Sequence, residues 1–375
     1  MAKVIGQHIP TELKNIAVNG GMDFWQRVEA NTTSFNTATG QQFYTADMIK
    51  TTTQGTTVKN FSVAQSSNVP TQAQSGYNSN FSHQFTQVGA IASAAATDAT
   101  APWSYWMEGY DYEKIHNKLV TFGFWINCSV PGTYAFSMQN TSGTRNYATT
   151  FTVSAASTWQ YVPLSIQLDS AAGNWTFNNT ASLIIYIGIY GGSNFTAATT
   201  NAWTSTTNQI LPSGLTNWQA TAGATINVTQ FSIVEGPLGF SSTGFTRRGA
   251  NFQQELALCQ RYYEKSYDIG TVPGTGSNTA GMFGITGATV IQNYAAGVKF
   301  ATAKRLNGYT WAYWDIAGNP SKVSNISGAG AATNNVVNSG AGGSSFGTSG
   351  AFFLVAPQTT PGGSTVFHWS ADAGL

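Results

Sequence analysis

The chain has 375 residues, of which only 8% are charged, and its 16 basic and 15 acidic residues leave a net charge of +1. A typical soluble domain carries about 25% charged residues, so this chain depends on uncharged polar residues for its solubility. The charge balance excludes the basic surface that nucleic acids or anionic membranes require. No apolar run approaches the roughly 18 residues of a membrane span.

The length favours two domains with a large core. Residues 1–17 form a polar lead without periodicity, which is either an anchor or a disordered terminus, and they lack the apolar core of a secretory signal. Cys128 and Cys259 lie far apart in sequence, which excludes a disulfide framework and offers no zinc-binding spacing. We expect both to be buried free thiols.

Residues 18–237 read as one short strand after another, separated by Gly, Asn and Ser clusters. In residues 118–130 every second side chain is apolar, as in Val120, Phe122, Phe124 and Ile126. Residues 182–190 are apolar almost throughout, which predicts a central strand buried on both faces. Residues 226–231 predict a strand whose alternation slips by one position. Together these segments predict a jelly-roll β-sandwich.

One segment breaks this pattern. In residues 238–268, predicted to be a linker, apolar side chains recur at the i, i+4, i+7 and i+11 spacing of one α-helix face: Phe252, Leu256, Cys259 and Tyr263. Asn251 is placed to cap the start of this helix. Residues 269–375 return to strand-like segments and predict a second, smaller β domain, so the fold class is mainly β with one linking helix.

Few residues suggest catalysis or metal binding. The histidines are isolated from other ligands in sequence: His8, His83, His116 and His368. We therefore expect no metal and no cofactor. A structural calcium would need the side-chain oxygens of Asn19, Asp23 and Glu235 to meet, which nothing in their spacing requires.

Aromatic residues are in surplus, at 13% of the chain. Four of them occur close together just before a predicted strand: Trp103, Tyr105, Trp106 and Tyr110. A loop with four aromatic side chains is costly to leave in water unless it packs or binds. Flat rings beside amide side chains suit sugars, so these four residues are the candidate glycan-binding site; packing in the core or in a subunit interface is the more common role of such rings.

The densest acidic cluster contains Glu108, Asp111 and Glu113. Glycoside hydrolases use two carboxylates across a cleft, so these residues are the first suspects for catalysis. A solvated loop leading into the next strand is the ordinary alternative.

A set of motifs in a fixed order resembles a known class of proteins. "NGGMDFWQR" at residues 19–27 is followed by "FYTADMI", by "FSIVEG" at the end of the predicted sandwich, by "FTRRGANFQQELALCQRYYEKSYD" and by a final "FHWSADAGL". This order is similar to that of virion structural proteins of tailed bacteriophages and prophages. These are fibre, appendage or head-decoration proteins with a jelly roll like that of carbohydrate-binding modules.

The resemblance implies a non-catalytic virion subunit. It would assemble as a homotrimer, attach to other virion proteins through residues 1–17 and contact host-surface glycans through a distal β domain. Residues 19–27 would form the first jelly-roll strand, with Phe24 and Trp25 on opposite faces. We expect Arg27 to pair with Asp47, because two rare charges in a charge-poor domain are less costly when paired.

The helix face would be buried between three copies or against the flanking domains. Two alternatives to the virion subunit remain open: a glycan-degrading tailspike hydrolase and a free carbohydrate-binding module.

Overall fold

A computed structural model describes residues 15–27, 33–37, 40–171, 173–197, 199–237, 245–278, 281–286, 294–327, 329–337, 345–355 and 363–375. Most of the predicted anchor, residues 1–14, lies outside the described residues. Asn15 and Ala17, the last part of that predicted anchor, are buried in the sandwich. The predicted anchor therefore extends too far along the chain.

The first part of the chain is a sandwich of two antiparallel sheets. Sheet A contains, in spatial order, β1 (Thr33–Thr37), β4 (Lys59–Ser66), β5 (Ser82–Gln87), β14 (Thr225–Glu235), β7 (Leu119–Cys128) and β10 (Gln160–Gln167). Sheet B contains β13 (Trp203–Thr204), β9 (Asn146–Val153), β8 (Gly132–Asn140), β11 (Ala181–Ile187), β6 (Ala99–Glu108), β3 (Ile49–Gln54) and β2 (Gln41–Tyr44), and β12 (Tyr190–Gly191) pairs with β6.

Short helices lie between the strands. The α-helices are α1 (Gln72–Ser75), α2 (Gly109–Tyr112) and α3 (Phe252–Gln260), and 3-10 turns occupy Ser193–Phe195 and Trp218–Ala220. Asn251 caps α3 by accepting a hydrogen bond from the Gln254 amide, as predicted. Among the described residues, every helix is too short or too polar to cross a membrane.

The C-terminal part of the chain forms a smaller β domain. One sheet contains β15 (Tyr263–Lys265), β23 (Ser364–Asp372), β19 (Lys322–Ile326) and β20 (Ala332–Val337), with β16 (Phe283–Thr286) and β18 (Thr310–Trp314) also paired to β23. A second sheet contains β17 (Tyr294–Lys299), β22 (Gly350–Val355) and β21 (Ser345–Gly347). Because β15 pairs with β23, this domain begins before the predicted boundary at residue 269.

The mainly β fold with a linking helix is confirmed, and three local predictions hold in detail. The alternating apolar residues of β7 all face the core between the sheets. Strand β11 is buried on both faces, with Leu183 in the main core and Ile184 in a second cluster on the outer face of sheet B. The slip in β14 is a β-bulge between Thr229 and Ser232, where Gln230 has φ 52°.

Residues 19–27 do not form the predicted first strand. The segment is a turn followed by extended chain, with Asn19 at φ 58° and Met22 at φ 59°. The Asn19 side chain donates to the carbonyls of Phe24 and Asp47 and accepts from the Phe24 amide, so side-chain bonds replace a strand ladder. Phe24 and Trp25 both lie in the main core, whereas the predicted strand would have directed only one of them toward it.

The turn requires a glycine at position 20 because its backbone lies against β14. A Cβ at this position would lie 2.0 Å from the carbonyl oxygen of Phe231, well within van der Waals contact distance. The backbone can approach β14 this closely only without a side chain.

Among the described residues, four ion pairs connect residues 15–112 to residues 247–375, and we call the region that they define the junction. The pairs are Asp23 with Arg247 at 2.8 Å, Arg27 with Asp372 at 2.9 Å, Glu108 with Arg261 at 2.6 Å and Asp111 with Arg248 at 2.5 Å. Each arginine donates through two nitrogens, which is the strong bidentate geometry.

Arg27 lies at the centre of the junction. Its guanidinium is stacked between the rings of Tyr44 and Tyr263, 4.0 and 4.6 Å from their centroids. It lies 3.5 Å from Asp47, the predicted partner, but its two-pronged hydrogen bonds go to Asp372. Burial opposes its charge, but Asp372 and Asp47 outweigh burial, so the pKa of Arg27 lies above its ordinary value.

Replacing Arg27 tests the junction. Arg27→Met would leave the buried Asp47 and the partly exposed Asp372 without their cation, so we expect a loss of about 3–5 kcal/mol in the free energy of unfolding, measured by urea denaturation. The matched control is Lys118→Met, which removes an exposed pair with Glu235 and should change stability by less than about 1 kcal/mol. Equal, small effects for both variants would contradict the central role of Arg27.

His83 makes the sandwich acid-sensitive. Its ring is buried and stacked on Trp25, with 5.6 Å between centroids, and neither ring nitrogen has a hydrogen-bond partner among the described residues. Burial lowers its pKa to about 3, so the unfolded chain binds the proton more tightly. The contribution of neutral His83 to the free energy of unfolding is fully present above pH ~6.5. Below that pH it falls by about 1.4 kcal/mol per pH unit until the pH reaches the folded-state pKa.

Unfolding at pH 7 and pH 5 measures this effect. We expect His83→Leu to lose less stability than the native chain between the two pH values, by roughly 2 kcal/mol. Phe85→Leu on the same strand is the control, because it changes the core without changing a titrating group. If both variants show the native pH dependence, His83 does not carry it.

Candidate functional site

The four aromatic residues predicted to bind glycans do not form an exposed loop. They belong to strand β6 and to α2, so successive side chains of the strand point to opposite faces. Trp103 and Tyr105 lie in the core, where both contact Phe231. Trp106 is on the other face, 3.7 Å below the Lys50 ammonium, and Tyr110 is 50% exposed. The predicted site is therefore wrong for Trp103 and Tyr105, which no ligand can reach.

The four residues of the predicted oligomer interface occupy different environments in the structure. Leu256 and Cys259 are buried against the sandwich core within one chain. Tyr263 lies beyond the end of α3, in β15, where its ring stacks on Arg27. Phe252 is 45% exposed and packs against Phe24 at 4.6 Å. The chain itself therefore buries Leu256 and Cys259, which leaves Phe252 as the exposed residue of this helix face.

The suspected catalytic carboxylates are held by arginines. Glu108 accepts from Arg261 and Asp111 from Arg248, whereas Glu113 is exposed. Burial alone would raise the pKa of Asp111, but its contacts with Arg248 and Lys114 outweigh burial and lower it. A glycosidase acid needs a raised pKa, so Asp111 is unsuited to that role.

The suggested calcium ligands are engaged elsewhere. Asp23 binds Arg247 and Glu235 binds Lys118, and Asn19 uses its oxygen for the Phe24 amide. Among the described residues, no three His, Cys, Asp or Glu side chains are grouped as metal ligands.

A groove of about 320 Å³ opens at one edge of the sandwich, where the end of β10 faces β9 and β13. We call it the edge groove. Its aromatic wall is Tyr147 and Trp203, both half-buried, with ring centroids 5.4 Å apart. Its rim carries the exposed polar side chains of Ser165, Gln167 and Asn201. The volume is at the lower end of ordinary ligand pockets.

Trp203 is fixed in place by contacts from both sheets. Its indole nitrogen donates to the carbonyl of Gln167 at 2.9 Å, which links β13 of sheet B to β10 of sheet A. The ring of Trp175 packs edge-to-face against the ring of Trp203, with 5.6 Å between the ring centroids. A ring held in this way loses little conformational freedom when a ligand stacks on it.

An ion pair forms the polar end of the edge groove. Arg145 donates through two nitrogens to Asp169, at 2.8 and 2.6 Å, and through a third to Ser205. Asp169 also accepts from the indole of Trp175 at 2.9 Å. Burial opposes the charge of Asp169, but these donors outweigh it and lower its pKa. The pair stays ionised and internally neutral, so the groove has no charge left for an ionic ligand.

This arrangement can bind a flat molecule that is apolar on its faces and hydroxylated at its edges. A pyranose ring has this character, because its C–H faces can stack on an indole while its hydroxyl groups exchange hydrogen bonds with amides and hydroxyls. The edge groove has neither an activated nucleophile nor a carboxylate free to move a proton among its described residues.

Sequence reasoning missed Tyr147 and Trp203. The one available signal was the isolation of Trp203 in "TNAWTS", where a large ring has only small and polar neighbours. The partnership of Tyr147 with Trp203 depends on the pairing of β9 with β13, which local periodicity cannot give.

Solved structures of carbohydrate-binding modules are similar to this chain, but with low sequence identity and low TM-scores. No family model and no curated protein matches the chain. The chain is similar to TmCBM61 in complex with beta-1,4-galactotriose, with 9% identity, a TM-score of 0.28 and coverage of 60% of this chain and 99% of that one. It is also similar to the CBM22-1 xylan-binding domain of Xyn10C from Paenibacillus barcinonensis, with 14% identity, a TM-score of 0.26 and coverage of 57% and 99%.

The chain is also similar to the N-terminal CBM22-1-CBM22-2 tandem domain of Xyn10C, with 12% identity, a TM-score of 0.28 and coverage of 93% of each chain. At TM-scores this low, the interpretation of the edge groove depends on its own geometry.

Proposed function

We propose that the chain is a non-catalytic glycan-binding protein and that the edge groove is its binding site. The observation that carries this proposal is the pair of half-buried rings, Tyr147 and Trp203, beside a rim of exposed amides and hydroxyls. The neutral Arg145–Asp169 pair favours uncharged sugars, since it offers fixed hydrogen-bond donors without net charge.

A glycan-degrading hydrolase fits the chain less well. Two of the suspected carboxylates are tied to arginines across the junction, and an acid held in this way cannot easily give up and take back a proton. Binding without turnover requires only the stacking surface and its rim.

Removing the indole tests the proposal. Trp203→Ala deletes the stacking surface and the bond to Gln167, so we expect at least tenfold weaker binding of the neutral oligosaccharides that a glycan array identifies, measured by isothermal titration calorimetry. Loss of one aromatic stacking partner has about this effect.

The matched control is Trp159→Ala, a half-buried tryptophan outside the edge groove whose indole donates to Asn68. We expect it to bind as the native chain does. Equal losses in the two variants, or no bound glycan on the array, would remove the edge groove as the site.

We further propose that this binding protein is a fibre or decoration subunit of a tailed phage. The support is the order of the sequence motifs, from "NGGMDFWQR" to "FHWSADAGL". The homotrimer remains part of this proposal, with an interface other than the buried face of α3. A free carbohydrate-binding module is the alternative, and it predicts the same glycan binding.

Deletion of residues 2–14 distinguishes the virion subunit from the free carbohydrate-binding module. The cut spares Asn15, whose side chain bonds the backbone of Ile233 and Thr246, so we expect the truncated chain to fold and melt normally. If the deleted segment is the anchor, mass spectrometry should find the full chain, but not the truncated one, in density-banded particles. Incorporation of the truncated chain would refute the anchor, and absence of the full chain would refute the virion role.

A further inference from the structure

A second cavity, of about 210 Å³, lies at the junction between α2 and α3. We call it the junction crevice. Its walls combine the apolar side chains of Val18 and Leu258 with the ring of Tyr110. It is smaller than the ~300 Å³ of ordinary ligand pockets, so it suits a single small unit rather than a chain.

The charged side chains of the junction crevice are unequal in number. Two carboxylates, from Glu108 and Asp111, face three cations, from Lys114, Arg248 and Arg261. The junction crevice therefore carries one positive charge in excess. The net charge of the whole chain is only +1, so positive charge is concentrated in this cavity.

The carboxylates of the junction crevice are already satisfied. Glu108 accepts two bonds from Arg261 and one from the Tyr262 hydroxyl. Asp111 accepts two from Arg248 and one from Lys114. Both therefore act as fixed supports for the cations and leave little capacity to accept bonds from a ligand.

The cations, in contrast, have donors to spare. Arg261 uses Nε and Nη2 for Glu108, and its Nη1 donates to no acceptor among the described residues. Lys114 uses one of its three N–H bonds for Asp111, and its side chain is 57% exposed. Hydrogen bonding to Glu108 raises the pKa of Arg261, so its charge persists at any physiological pH.

We propose that the junction crevice binds the carboxylate of a single acidic sugar. The carboxylate pairs with Lys114 and Arg261, and the sugar ring packs against Tyr110 and Leu258. This site is separate from the edge groove and differs from it in chemistry, because the one cation that lines the edge groove, Arg145, is paired with Asp169, whereas the cations of the junction crevice outnumber its carboxylates.

Glucuronate and glucose provide the test, because they differ in whether the ring carries a carboxylate. We expect the full chain to bind glucuronate saturably and at least tenfold more tightly than glucose, measured by calorimetry or NMR titration. Lys114→Gln should weaken glucuronate binding about tenfold, which corresponds to one charge-assisted hydrogen bond. Asp111 keeps both bonds to Arg248 in this variant, so the fold should persist.

Lys118→Gln is the matched control, since this exposed lysine pairs with Glu235 outside the junction crevice. It should bind glucuronate normally, and so should Trp203→Ala, which separates this site from the edge groove. Equal binding of the two sugars, or glucuronate binding that ignores Lys114→Gln, would overturn the proposal. Loss of glucuronate binding in Trp203→Ala would also overturn it by moving the ligand to the edge groove.

Discussion

The structure depends on one buried cation. Arg27 is held between two tyrosine rings and two carboxylates that come from distant parts of the chain. A guanidinium is costly to remove from water unless every partner is in place. The N-terminal segment, the turn at Asp47 that precedes β3 and the last strand must therefore reach Arg27 together. This requirement fixes the position of the C-terminal domain on the sandwich more strictly than apolar contact could.

The low charge content has a structural meaning in this context. The four ion pairs of the junction use about a quarter of the charged residues of the chain, and they lie between the two domains. Because only 8% of the residues are charged, uncharged polar side chains predominate over charged ones on the rest of the surface. A surface of this kind suits neutral, hydroxylated ligands, and the edge groove is one part of it where rings and amides occur together.

The sequence predicted what depends on neighbours along the chain. The core face of β7, the double burial of β11 and the bulge in β14 follow from alternation and its interruption, and the cap of α3 follows from Asn251. It did not predict features that depend on distant partners. The turn at Asn19 replaces a strand because its side chain bonds the backbone near Asp47. The burial of Leu256 and Cys259 on α3 comes from contacts with the sandwich core, which is distant in sequence.

The edge groove could not be predicted from local sequence patterns, because it also depends on residues that are distant in sequence. A cluster of aromatic residues in sequence, as in β6, is divided by the strand between two faces of a sheet, so closeness in sequence does not bring the rings together. Tyr147 and Trp203 are distant in sequence and adjacent in space, because a short edge strand returns to pair with β9. In this sandwich the lone Trp203 lies at the proposed binding groove, whereas the aromatic cluster of β6 contributes Trp103 and Tyr105 to the core. The cluster has neighbours in its own strand with which to build the core, whereas the lone ring has none.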